Sequence, residues 1–250
     1  MAAINQSVGL AGDSASVLSG GTQGVGGPGA AVDSTFQAPR FSYRPADHAT
    51  LGHFSVAQRS GELVATIGAA GHLARFRWTD ATRFALIHRI KVGWSISGAV
   101  TTAVEMTLRA IIARAFTVDF TTARTLAAMG VVANTGKMRN SMATSLLGAN
   151  GPAIATTTVM SGQTLTADAD PFAIAPMPSL APVTATGTAV AIPVGAASPM
   201  ITLYENTSLN QHPLILGANE GVIIQPHLAG PGSGTWALYV QWEWAELVAY

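Results

Sequence analysis

The chain has 250 residues, with 13 basic and 13 acidic side chains and no cysteine. Only 10% of its residues are charged, against about 25% in an average soluble domain. These values exclude a disulfide framework, a thiolate nucleophile and a cysteine-based metal site, and they leave no basic excess to meet a nucleic-acid backbone. Mean hydropathy is +0.34, but it is spread over Ala, Val and Ile, and no uninterrupted apolar run reaches the ~18 residues that a spanning helix needs. No membrane association is expected. The first residues lack a basic stretch followed by an apolar one, so a secretory leader is not expected. The length allows one large β-domain or two small ones, and a neutral surface so poor in charge favours association over repulsion.

Residues 1–50 stand apart. Ser14 to Ala31 reads SASVLSGGTQGVGGPGAA, a composition with little to build a core, as in a disordered tail. The reading preferred here is an extended N-terminal arm that orders on a neighbouring subunit, followed by a β-sandwich domain over residues 51–250. Short strand candidates follow at Glu62–Ile67 and His72–Trp78. In Phe84–Ile96, the residues Phe84, Leu86, His88, Ile90, Val92, Trp94 and Ile96 alternate with Arg83, Ala85, Ile87, Arg89, Lys91, Gly93 and Ser95. The first set is expected to face the core and the second to be partly charged and outward. Val104–Val118 fits both helical and strand periods; its Phe-Thr-Val-Asp-Phe ending favours strand. Residues 121–150 read as a long connection with one short helix at most, over Thr122–Met129. Further short strands are expected near 153–159, 183–194, 200–204 and 221–225, with prolines confining them to edges and strand starts.

Asn219-Glu220-Gly221 reads as a tight turn, with Asn and Gly both suited to left-handed geometry. The strand after it is expected to form a long-looped hairpin with the tryptophan-rich stretch that begins at Thr235. There Trp236, Leu238, Val240, Trp242 and Trp244 fall on one face, and Thr235, Ala237, Tyr239, Gln241, Glu243 and Ala245 on the other. Such alternation is that of a half-buried strand, and three tryptophans on one face require a broad apolar layer opposite. Many short strands with Gly/Pro turns indicate an all-β fold, for which a jelly-roll-like β-sandwich is the best single expectation.

No catalytic, cofactor-binding or metal-binding residue is assigned, and no cofactor is expected. The run Gly20–Gly29 lacks the Gly-Lys-[Ser/Thr] element of a phosphate loop, and Gly136-Lys137 is followed by Met138. The histidines at 48, 53, 72, 88, 212 and 227 show neither the i,i+4 nor the i,i+2 spacing that places two ligands on one face. His88 is read as a core or interface histidine. Asp168 and Asp170, before Pro171, read as turn formers. Glu243 and Glu246 are expected on a wet face, solvated or paired with an arginine across a subunit boundary. Arg75, Arg77, Arg83, Arg89 and Lys91 are the one basic concentration, expected as a solvated outer stripe or as a contact for an acidic partner. No Gly-x-Ser-x-Gly elbow is present, so enzyme activity is not expected.

Four segments taken in order carry a resemblance. They are Arg139–Leu146 (RNSMATSL), Thr157–Asp170 (TTVMSGQTLTADAD), His212–Ile224 (HPLILGANEGVII) and the Gly-Thr-Trp strand ending Val-Gln-Trp-Glu-Trp-Ala-Glu. Together they resemble structural proteins of tailed-bacteriophage virions, over about residues 75–250, with the arm left out. The resemblance implies a capsid-associated decoration or cement protein, located in the virion after assembly in the host bacterial cytoplasm. Its partners would be copies of itself, with a trimer among the forms considered, and other virion proteins such as the major capsid protein. A tail, neck or fibre component that binds a receptor or glycan is the alternative, with Trp78, Trp94 or Tyr204 as stacking residues.

Overall fold

The computed structural model describes residues 52–65, 67–98, 100, 107–125, 144–147, 151–176, 183–185, 188–190, 197–207, 212–230 and 232–247. The arm proposed for residues 1–50 lies outside them. All described residues belong to one compact unit, Ala46–Tyr250. They form fifteen strands: β1 His53–Arg59, β2 Leu63–Val64, β3 Ala74–Trp78, β4 Phe84–Gly98, β5 Thr107–Val118, β6 Ala123–Thr125, β7 Ala153–Ala155, β8 Thr164–Ala167, β9 Ala173–Pro176, β10 Val183–Ala185, β11 Thr188–Val190, β12 Ile201–Glu205, β13 Leu214–Leu216, β14 Glu220–Pro226 and β15 Thr235–Leu247. Among the described residues there is no helix.

The strands make two antiparallel sheets and one separate hairpin. In the first sheet the order is β1-β15-β4-β12, with β13 also on β4 and β2 also on β15. In the second it is β6-β7-β3-β14-β5-β8, with β9 also on β5. Successive long strands alternate between sheets, so β1, β4, β12 and β15 interleave with β3, β5 and β14. The connection from β14 to β15 therefore crosses the sandwich. This corrects the hairpin expected from sequence: β14 pairs with β3 and β5, whereas β15 pairs with β1 and β4.

Between the sheets lies a single apolar core. β15 behaves as its alternation requires, with Trp236, Leu238, Val240 and Trp242 fully buried and Trp244 nearly so. Phe76 of β3 meets this face from the second sheet, its ring 5.7 Å from Trp242 and 5.3 Å from Trp244. Phe54 of β1 stacks on Trp244 at 5.4 Å. Each such pair adds about 0.5–1.5 kcal/mol to the burial of its rings.

β4 follows its predicted alternation only in part. Ile90, Val92, Trp94 and Ile96 are buried in the core as expected. Opposite β15, however, Arg89 faces Glu243 and Ile87 faces Trp244, so His88 is an extra residue in the ladder. A bulge reverses the faces beyond it. Ala85 and Ile87, expected outward, are core residues, whereas Leu86 and His88 are not part of that core.

The ambiguous segment is strand β5, as its β-branched and aromatic ending indicated. Where a short helix was expected from Thr122, Ala123–Thr125 is a strand paired with β7; residues 126–129 lie outside the described ones. β1, β8, β9 and β13 were not anticipated. Strands β7, β9, β10, β12 and β13 each begin one or two residues after Pro152, Pro171, Pro182, Pro199 or Pro213, where a residue without an N–H costs the ladder nothing.

The turn before β14 is made by Asn219, at φ 60°, whose backbone N–H donates to the Trp78 carbonyl at 2.9 Å, while the Glu220 N–H donates to the Gly217 carbonyl at 3.0 Å. Gly221 serves a different end. A Cβ there would collide with the backbone carbonyl of Phe76, so glycine is needed for β14 to lie against β3. Gly221→Ala should therefore lower stability by about 1–3 kcal/mol, although alanine loses less backbone freedom on folding. Urea unfolding midpoints test this, and an unchanged or higher midpoint would contradict it.

Candidate functional site

Among the described residues, charged and polar side chains gather in four main places. The first is the outer face of the first sheet. Arg89 of β4 grips Glu243 of β15 with two nitrogens, at 2.8 and 3.1 Å, and reaches Glu205 of β12 at 3.3 Å. Beside it Gln241 donates to Glu243 at 2.8 Å and to Ser55 at 3.3 Å. Tyr239 shares a hydrogen bond with Ser95 at 3.1 Å and accepts one from Arg59 at 3.2 Å, contacts that hold its hydroxyl below the usual phenol range. These bonds run across the strand order β1-β15-β4-β12 and tie neighbours together. Glu243 is thus paired within its own chain.

The second is at the edge of the other sheet. Arg114 donates to both carboxylate oxygens of Asp168, at 2.9 and 3.1 Å, and to Glu220 at 3.1 Å. Asp168 therefore holds β5 rather than forming a local turn. With its guanidinium more than half exposed, this group is worth little in stability.

The third is buried. Arg75 has no exposed surface and bonds the carbonyl of Gly151 and the carboxylate of Asp119. Burial lowers its pKa to about 10, opposed by Asp119 and reinforced by Arg77. Arg77 bonds the carbonyls of Phe116 and Thr117 at 2.7 and 2.9 Å. Arg75 and Arg77 belong to the second sheet and Arg89 and Lys91 to the first, so the expected basic stripe does not form.

The fourth is Glu246, expected in water but only 1% exposed. Its carboxylate accepts from the Ser145 hydroxyl, from the Leu146 N–H at 3.0 Å and from the Trp244 indole at 3.3 Å. It anchors residues 144–147 from about 100 positions away in the chain. Burial raises its pKa, and the three donors oppose that rise.

Among the described residues the histidines do not converge on a ligand set of three. His53 of β1 and His88 of β4 meet across β15, ring centroids 4.7 Å apart and tilted by 58°; the bulge brings about this pairing, which spacing could not reveal. His72 packs edge-on to Phe120 at 5.1 Å and bonds Gln163 at 3.2 Å, and burial lowers its pKa. His212 bonds the Pro213 carbonyl at 2.8 Å. His48, Gly20–Gly29 and Gly136-Lys137 lie outside the described residues. Among the described residues no group of three or more His, Asp or Glu side chains is placed to hold a metal ion. Trp78 and Trp94 are buried, and Tyr204 is half-buried, edge-on to Phe172 at 5.4 Å. The large exposed apolar side chains among the described residues, such as Val118, Ile174 and Met200, are all aliphatic or methionine.

Comparisons with family models, with curated proteins and with solved structures gave no match.

Glu246 makes a pH prediction. Its pKa is raised in the folded state, so its contribution is fully present below the ordinary value of 4.5 and is lost as pH rises through the folded value. Wild type should lose stability relative to Glu246→Gln over that rise. Urea midpoints of both proteins across the acid range test it; a constant difference, or one of opposite sign, would refute the assignment.

Proposed function

We propose that this chain is a structural protein of a bacteriophage virion. In this reading it is a jelly roll that decorates or cements the capsid, assembles symmetrically and clasps neighbours through residues 1–50. The observation that carries the fold half of the proposal is the strand order. Taking β1, β3, β4, β5, β8, β12, β14 and β15 as eight successive strands, the first, eighth, third and sixth form one sheet. The second, seventh, fourth and fifth form the other. That order supports reading the sandwich as the double Greek key of a jelly roll. A jelly roll hosts many functions, so the virion half rests on the resemblance of the four segments and on the economy of charge.

The polar groups support an architectural role in this reading. The three arginine clusters and Glu246 each join strands or anchor a loop, and their donors and acceptors are turned toward one another. A glycan-binding module needs aromatic faces open to solvent, whereas all five tryptophans are buried. Assembly would stabilise the protein by mass action, since a partner that binds only the folded form adds about 2.7 kcal/mol at a hundred times its Kd.

The test compares the full chain with one lacking residues 1–50, after circular dichroism has shown that both are folded. Each is mixed with empty shells and, separately, with isolated tails of the encoding phage, and sedimented. The full chain should co-sediment with shells and the truncated chain should lose at least about tenfold in affinity. Sedimentation with tails alone would replace the capsid by a tail location, and binding to neither would refute the virion reading.

A further inference from the structure

We infer that His53 of β1 and His88 of β4 together bind a divalent transition-metal ion, copper(II) best of all, as a two-histidine clamp on the outer face of the first sheet. The inference is independent of the virion reading.

The ladder sets the two residues on either side of β15. His53 pairs with Ala245, and residues directly opposite in an antiparallel pair share a face. His88 is the extra residue of the β4 bulge, between Ile87, which pairs with Trp244, and Arg89, which pairs with Glu243. Bulges re-aim side chains and are frequent beside functional sites; this one lets His88 and Arg89 both leave the core side. Strands two apart in a sheet are separated by about 9.6 Å. The rings nevertheless meet with centroids 4.7 Å apart, so both side chains lean across β15. Ala245, the residue between them, is small and fully buried. The backbone positions are fixed by pairing on both sides of β15, which leaves only side-chain rotation to adjust the site.

The separation suits two ligands of one ion. A metal ~2.0–2.1 Å from one nitrogen of each ring lies about 3.2 Å from each ring centre. With centroids 4.7 Å apart, the two rings then subtend about 95° at the metal. That is the angle between neighbouring ligands of a square-planar or octahedral ion, and narrower than the tetrahedral angle of zinc. The interplanar tilt of 58° lets two in-plane lone pairs converge, which parallel stacking would prevent. Each imidazole has two nitrogens, so a hydrogen bond at one orients the ring and leaves the other for a metal. Both histidines are partly exposed, and water can complete the coordination. The neighbouring carboxylates of Glu243 and Glu205 are held by Arg89, so the donors are imidazoles alone. Nitrogen donors at this angle favour copper(II), then nickel(II), over zinc, and do not suit magnesium or calcium. Among the described residues β1 is an edge strand, paired only with β15. The ion would tie it a second time, to β4.

The test uses the full chain and metal salts alone. Copper(II), nickel(II) and zinc are titrated calorimetrically at about pH 7 into wild type, His53→Gln, His88→Gln and His227→Gln, an exposed control, after circular dichroism has shown each to be folded. Wild type should bind copper most tightly and gain thermal midpoint on doing so. His53→Gln and His88→Gln should each weaken the tightest copper event at least about tenfold, and His227→Gln should leave it unchanged. At about pH 5 the gain in midpoint should vanish, because protonated imidazoles do not ligate. In wild type, paramagnetic copper should broaden the imidazole proton signals of His53 and His88 before those of other histidines, a readout that needs no variant. No binding, binding that survives either substitution, or broadening of other histidines first would mean an adventitious ion only and overturn the site.

Discussion

The contact of Phe76 with Trp242 and Trp244 is the constraint on which the rest of the sandwich depends. β15 is hydrogen-bonded on both sides, by β1 and β4, so it cannot shift to relieve a misfit on its inner face. Its tryptophans fix the gap between the sheets, and β3 must deliver an aromatic ring at that height. β3 can do so because β14 approaches it closely at Gly221 and because Trp78 is held by its indole bond to the Arg83 carbonyl at 2.8 Å. The arrangement has a cost. The indole N–H groups of Trp94, Trp236 and Trp242 are buried without partners, each about 1–3 kcal/mol unfavourable. Burial of so many large rings offsets this, each large side chain contributing about 1.5–3 kcal/mol.

With the middle set by apolar packing, polar groups finish the margins. Gln58 donates from β1 to the Pro152 carbonyl beside β7, and the Gly61 and Val64 N–H groups bond the Ala155 and Thr157 carbonyls at 3.3 and 2.9 Å. One long edge of the sandwich is thereby laced from sheet to sheet. At the opposite edge Phe172 meets Tyr204, whose hydroxyl accepts the Leu214 N–H at 3.1 Å. Glu246 and Arg75 hold loops rather than strands. In a medium of low dielectric these bonds are strong only when every member is satisfied, so the Ser145, Leu146 and Trp244 donors must arrive together at Glu246.

How much of this could be read in the sequence follows from the range of each interaction. The tryptophan face of β15 is legible because a strand buried on one face writes a period of two, and the all-β class follows from the turns and prolines; Ala237 and Ala245, on the expected outer face, are buried as well. The same counting failed on β4 at His88, because a bulge leaves no local mark and reverses every side chain before it. β14 was legible as a strand but not by its partners: a Pro/Gly loop looks alike whether it turns a hairpin or crosses a sandwich. β1, β8, β9 and β13 are short or lie at edges, where little alternation is enforced. The pairs Arg114–Asp168, Arg75–Asp119 and Ser145–Glu246 join residues 54, 44 and 101 positions apart. No spacing rule reaches that far, so Asp168 looked like a turn residue and Glu246 like a solvated one.

The use of charge joins fold to the proposed function. Among the described residues, Arg75, Arg89 and Arg114 hold the carboxylates of Asp119, Glu205, Glu243, Asp168 and Glu220. A chain with 13 acidic residues thus commits a large share of them to internal pairs. The field that remains outside is weak, and a weak field neither steers a charged ligand nor keeps copies apart. For a freely diffusing enzyme that is a liability, because neutral proteins approach one another without a barrier. For a protein that works only when placed among its neighbours it is an advantage: association then depends on shape, backbone pairing and apolar contact, which ionic strength scarcely screens.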